Sequence, residues 1–300
     1  MTQQHQKRWL GYVLVIIGAT FWGIGGTVSQ WLFQHENLDV SWFVAVRLVI
    51  SGLLLIVIAF MTQGVKVFVV WWDKRAATQM IIYGIFGMLA VQYTFMSAIN
   101  YGNAAVATLL QYLGPIFIIF YLVLTKVTKF GVKEALAIVL ALSGTYLLLT
   151  NGHFENLQVP KRAIIWGLLS AVALAFYTVY PVRLLARWSS LNVVGWGMLI
   201  GGIALSFVHP PWQVALSDWS MQTHLLFWFA IIFGTMLAFW FYIDSLHYLF
   251  PHEAGLLGTI EPLTALLTSV VWLNVSFGVW QLLGIVLIIL MVIVLSVVKK

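Results

Sequence analysis

No cysteine occurs among the 300 residues, and charge is scarce: nine residues are acidic and fifteen are Lys or Arg, so 8% of the chain is charged. The missing thiols exclude disulfides, thiolate metal sites and thiol nucleophiles, and they leave the redox compartment open. The missing charge excludes more. From Ala76 to Thr125, fifty residues, there is no Asp, Glu, Lys or Arg. A soluble domain cannot cover so long an apolar run, whereas a bilayer core takes up about 20 apolar residues per helical crossing. The run reads as two crossings joined by a turn at Asn100-Tyr101-Gly102-Asn103. Also missing is any Pro/Gly/Ser-rich linker between domains.

What is present is hydrophobic: 62% of residues, with a mean hydropathy of +0.99. That leaves room for about ten crossings and no sizeable extramembrane domain. The predicted fold class is all-α integral membrane, with ten transmembrane helices at about 9–33, 41–61, 77–98, 103–125, 134–151, 163–184, 190–208, 224–246, 252–273 and 279–297. The first of these lies in a 26-residue uncharged stretch, Trp9 to Gln34. It is too long for a signal-peptide core and lacks a small-residue cleavage site, so it reads as a retained helix.

The net charge of +6 is a topology signal. With the amino terminus inside, Lys7, Arg8, Lys66, Lys74, Arg75, Lys126, Lys129, Lys133, Arg183, Arg187, Lys299 and Lys300 are cytoplasmic, against only Lys161 and Arg162 outside. This bias places both termini in the cytoplasm of a multi-pass protein of the cell (plasma) membrane. Basic residues spread along loops in this way form no patch for nucleic acid.

Shifting the sequence by 147 positions superposes Gly87 on Gly234, Tyr101 on Tyr248, Leu109-Leu110 on Leu256-Leu257, Pro115 on Pro262 and Phe130-Gly131-Val132 on Phe277-Gly278-Val279. Apolar matches come cheaply in such a chain; a shared proline and a shared Phe-Gly-Val at one offset do not. Two five-helix repeats are expected, residues 1–151 and 163–300. An odd number of crossings threads the second repeat in the opposite sense, and inverted repeats place a substrate site near the midplane at their interface.

Phe21-Trp22-Gly23, Arg47, Gly114-Pro115, Glu261-Pro262 and Gln281-Leu282-Leu283-Gly284, in this order over essentially the whole chain, resemble the drug/metabolite transporter superfamily, and within it the EamA-type permeases. The resemblance implies a carrier for small organic solutes such as amino acids, amines or other metabolites. One feature departs from it. Members often carry a Glu before the fifth and tenth helices, where this chain has Thr125-Lys126-Val127 and Leu273-Asn274-Val275.

The candidate pathway residues are few. Glu261 lies near the bilayer centre, where an acidic side chain costs on the order of 2.5–3.5 kcal/mol on insertion scales. It reads either as a proton-coupling or cation-binding carboxylate or as a structural carboxyl bracing the Pro262 kink. Arg47 has two roles open to it: binding a substrate carboxylate or Glu261, or snorkelling to the outer interface. Pro115 and Pro262 read as paired mid-helix kinks whose freed carbonyls face protein or a water-filled cavity. Trp22, Tyr93, Tyr112, Tyr177 and Trp240 are deep aromatics, fit either to wall a cavity or to pack the bundle. Gln111 and Gln92 are polar candidates for the pathway or for interhelical bonds.

A carrier is the expected function. An intramembrane enzyme, such as a lipid-linked transferase, would need more than one mid-membrane carboxylate, and a channel would need rings of charge or carbonyls about a symmetric pore. No cofactor or metal is implied. The expected partners are a small-molecule substrate, protons as coupling ion, and the lipid bilayer; the oligomeric state is left open.

Overall fold

The computed structural model describes residues 2–126, 130–153, 157–213, 219–245, 248–249 and 251–296. Val127, Lys129, His247, Lys299 and Lys300, together with 214–218 of the expected external loop, lie outside the described residues. Among the described residues the chain is entirely helical, without a strand. Eight segments of the described residues are long and apolar enough to cross a membrane: α1 (Arg8–His35), α2 (Val40–Trp71), α3 (Lys74–Tyr101), α4 (Ala104–Leu124), α5 (Val132–Thr150), α6 (Lys161–Leu185), α8 (Met221–Ser245) and α10 (Val279–Ser296). Two shorter apolar helices, α7 (Ser190–Ser206) and α9 (Pro251–Gly258 followed by Ile260–Val271, apolar over Leu256–Val271), join them.

The helices start where the few short polar side chains lie. Asp39 accepts from Trp42 N at 2.8 Å, Asp73 from Arg75 N at 3.0 Å, Asn103 from Val106 N at 2.9 Å and Ser220 from Thr223 N at 3.1 Å. Each satisfies a first-turn N–H that has no partner within its own helix. Asn103, expected in a turn, therefore opens α4. The end of α2 differs from the loop expected after residue 61: Gly64–Trp71 continues as a 3₁₀ helix, docked through the Trp196 Nε1–Val67 O bond of 3.1 Å.

Packing follows the small residues, because apolar side chains gain nothing from leaving lipid for one another and close backbone approach must supply the contact. α2 packs on α7, with Gly52 against the backbone of Leu199 and Gly202 against that of Val49. α5 packs on α10 through Gly144 and Gly284, each facing the other's carbonyl. α1 lies against α8 and α9, and α6 lies against α3 and α4. Where α1 crosses α8, a Cβ on Gly25 would stand 2.7 Å from Gly234 Cα.

Four helices are irregular near their middles. α3 contains the π-helical stretch Tyr83–Leu89 and α8 contains Ile232–Leu237. α4 is interrupted at Tyr112 and Leu113, between Ala104–Gln111 and Gly114–Leu124; α9 is interrupted at Thr259, between Pro251–Gly258 and Ile260–Val271. The prolines were expected to kink continuous helices. Instead Pro115 is the second and Pro262 the third residue of a new helical segment, each within the first turn, where a fixed φ and a missing N–H cost little.

Candidate functional site

A cavity of about 450 Å³ lies among these irregularities, lined at each of them: Tyr83 in α3, Tyr112 in α4, Gly234 in α8 and Gly258 in α9. Non-helical backbone at membrane depth is tolerated where it is buried in protein or lines such a space. The lining continues to Pro181 and Leu185 of α6 and Leu295 and Ser296 of α10. Towards the opposite ends of the helices Trp42, Phe43, Trp219 and Phe227 close on one another, with ring centroids 5.1 to 6.1 Å apart.

Glu261 is buried, in the first turn of Ile260–Val271. The unpaired N–H groups and positive dipole end of that segment favour an oxygen-rich side chain there. Its nearest hydroxyl is Tyr112 Oη, 3.3 Å from Oε2, and the same Oη lies 2.5 Å from the Gly258 carbonyl exposed by the α9 break. A phenol has one proton to give. When Tyr112 donates it to Gly258, a contact with Glu261 requires the carboxyl to carry a proton and donate in turn. An ionised Glu261 instead competes for the phenolic proton. Tyr242 lines the same region of the cavity.

Arg47 is 3% exposed and faces inward. Nε donates to Thr235 Oγ1 at 3.0 Å and Nη1 to Met96 Sδ at 3.0 Å, while the guanidinium carbon lies 5.5 Å from the centre of the Phe43 ring. It neither snorkels to the interface nor pairs with Glu261; no carboxylate oxygen of the described residues lies within 4.0 Å of it. Thr235 belongs to the π-helical stretch and passes its own proton to Ala230 O at 2.8 Å, which orients its oxygen for the arginine.

The walls are aromatic. Trp22 lies 4.8 Å from Phe239 and 4.9 Å from Tyr242, and Tyr83 stacks on Tyr177 at 5.7 Å with 23° between planes. Of the residues singled out from sequence, Glu261, Arg47, Trp22, Gln92, Gln111, Tyr112, Pro115 and Tyr177 line the cavity. Gln111 also bonds across to Ser170 Oγ at 2.7 Å. Tyr93 lies elsewhere, in a polar pocket with Asp39 and Asn100 at the ends of α2 and α3, its ring 5.6 Å from Trp166. Trp240 packs beside Phe241, and Pro262 is buried in the first turn after the α9 break; neither is among the lining residues. Sequence reasoning passed over Tyr83, Tyr242, Phe239 and Met96. The signal that could have found Tyr83 is its place four residues before Gly87, one of the glycines shared at the 147-residue offset.

Comparison with known proteins agrees with this architecture. The model of the EamA-like transporter family matches residues 9–150 and again 161–297. The chain is 34% identical over 288 residues to an uncharacterized inner membrane transporter, YicL, of Salmonella typhimurium, covering 95% of each chain. It is 25% identical over 289 residues to the uncharacterized transporter YwfM of Bacillus subtilis, covering 95% of this chain and 93% of that one. A protein crystal structure shares the fold with a TM-score of 0.63 and 18% identity, covering 97% of this chain and 96% of the other. These names point to transport rather than catalysis, in a multi-pass protein of the plasma membrane. The chain belongs to the EamA-like transporter family.

Proposed function

We propose that this protein is a secondary carrier that moves small organic solutes, such as amino acids, amines or other metabolites, by alternating access, with Glu261 exchanging one proton per cycle. One observation carries the reading: a buried carboxyl in a cavity built at four backbone irregularities, two in each half of the chain.

The halves are read as inverted five-helix repeats, 1–151 and 163–300, giving ten crossings once the two shorter helices are counted. The interruptions at Tyr112 and Thr259 stand 147 residues apart, as do Gly87 and Gly234 in the two π-helical stretches. Exchanging the halves turns the α1 contacts with α8 and α9 into the α6 contacts with α3 and α4, and leaves the α2–α7 and α5–α10 pairs unchanged. Such symmetry lets one half rock against the other about a fixed site. Under the charge-derived orientation, the end of the cavity lined by Leu185 and Ser296 faces the cytoplasm and the aromatic cluster closes the outside.

Coupling follows from the Tyr112 contacts. Loss of the Glu261 proton draws the phenolic proton away from the Gly258 carbonyl, and so alters the tie between α4 and α9 at the point where both are broken. Protonation thus bears on the helices that enclose the substrate.

The reading is tested by counterflow in proteoliposomes, with solutes first found as ligands that raise the melting temperature of the purified protein. A carrier exchanges labelled for unlabelled solute. A ligand that stabilises the protein and is bound but never exchanged refutes transport.

A further inference from the structure

We infer that the Arg47 end of the cavity is an anion subsite, and that the transported solute carries a carboxylate-type group which Arg47 and Gln92 hold while its apolar body lies along the aromatic walls. The inference rests on the carrier reading and adds to it the charge of the solute and where that charge sits.

The argument is one of unmet demand. A guanidinium stays ionised throughout the accessible pH range and offers five N–H donors in a planar fork. In this protein Nε meets a neutral hydroxyl and Nη1 meets a thioether, a weak acceptor, while Nη2 has no acceptor among the described residues. A buried cation without an anion is expensive, and removing the anionic partner of such a pair is among the more damaging changes a protein can suffer. Here no carboxylate of the described residues lies within 4.0 Å of the guanidinium; Glu261 lines the same cavity but lies beyond that reach. Gln92, 4% exposed and on the same lining, makes no hydrogen bond with any described side chain or backbone group, so its amide can donate to the same ligand.

The free edge of the guanidinium matches the two oxygens of a carboxylate, which accept a parallel pair of N–H bonds. Thr235 sets that edge. By engaging Nε it fixes the plane of the fork, and its own proton, held on Ala230 O, keeps the threonine from turning away. The Phe43 ring covers one face of the fork at 5.5 Å, which leaves in-plane approach to the ligand. The walls made by Trp22, Phe239, Tyr83 and Tyr177 then accept a flat apolar body. Thr235 is thus a positioning residue, acting through Arg47.

The test uses the full chain in nanodiscs, with Trp fluorescence and melting temperature as readouts and four probes that share a phenyl ring: phenylacetate, phenylalanine, 2-phenylethylamine and 2-phenylethanol, the alcohol of the set. The two carboxylates are expected to bind at least tenfold more tightly than the amine and the alcohol. Arg47→Gln is expected to abolish that preference, Arg47→Lys to restore part of it, and Thr235→Val to weaken carboxylate binding while sparing the alcohol. The ligand-free melting temperature of Arg47→Gln is expected to equal or exceed that of the parent, since an unpaired buried charge has been removed; a purely structural arginine would lower it. Equal affinity for all four probes, carboxylate binding indifferent to Arg47→Gln, or selective binding of the amine overturns the subsite. Carboxylate binding that depends on Arg47 without any counterflow keeps the subsite and overturns the carrier reading instead.

Discussion

Glu261→Gln separates coupling from transport. The substitution keeps the shape of the side chain, leaves an amide that can both donate and accept, and removes the ionisation. The described lining of the cavity holds one carboxyl, so each cycle is expected to carry one proton. At zero membrane potential, a difference of one pH unit across the membrane is then worth about 1.4 kcal/mol, or roughly a tenfold solute ratio. In proteoliposomes with the potential clamped, the parent is expected to build that ratio for a solute transported without net charge of its own. The variant is expected to stay near unity while still exchanging labelled solute at equal pH on both sides. Tyr112→Phe is the companion: the carboxyl remains, but the phenol that chooses between Gly258 and Glu261 is gone. Because that phenol links the protonation of Glu261 to the tie between α4 and α9, the variant is expected to build a solute ratio below the tenfold of the parent and to change the pH dependence of the rate. Melting temperatures and matched amounts of protein guard against lost folding mimicking lost coupling. A Glu261→Gln protein that builds the tenfold ratio of the parent refutes the proton role outright.

Gly234→Ala pushes a Cβ to 2.9 Å from Gly25 Cα, backbone against backbone, and is expected to cost about 1–3 kcal/mol in a reversible unfolding assay. Ser269→Ala is expected to be neutral or stabilising in the same assay, because Ser269 Oγ is buried without a hydrogen-bond partner. Asp73 lies on the loop before α3, its carboxyl held below the usual carboxylate range by the N–H of Ala76 and further by Arg75 N–H and Arg187. A lowered folded-state value means stability that is present above about pH 4 and lost as pH falls through it, so the melting gap between parent and Asp73→Ala is expected to narrow in acid. Both termini are expected in the cytoplasm; with no native cysteine, a single cysteine at residue 3 that reacts with a membrane-impermeant reagent in intact cells overturns the orientation.

Much of the fold was legible because the bilayer imposes it. Apolar run length reports crossings, whereas the helix starts after Asp39, Asp73, Asn103 and Ser220 are set by side-chain caps that run length does not mark. The cavity was legible only in part, because the backbone is irregular there. On an ideal helix of 3.6 residues per turn, Tyr83 and Gln92 stand nine positions and roughly 180° apart, so a periodicity reading puts them on opposite faces. A π-helical residue inserted between them brings the separation to about 80°. Both residues then line one cavity, which no regular period predicts. The prolines misled for a related reason: composition marks where a helix is interrupted, but whether the chain bends or restarts depends on a partner for the freed carbonyl, which Tyr112 supplies to Gly258 from another helix.

Arg47 makes the same point about direction. Its depth in α2 allowed two outcomes, because a long side chain reaches either the interface or the interior from one backbone position. Which outcome holds is decided by residues that carry no charge. Gly52 brings α2 against Leu199 of α7, and Ser51, one turn beyond Arg47, bonds the Ile231 carbonyl at 3.2 Å. These contacts turn the Arg47–Ser51 face of α2 onto α8, where Thr235 stands within the π-helical stretch. The guanidinium points into the cavity because small residues on its helix allow close packing there, and because the helix it meets has left the α-helical pattern at that level.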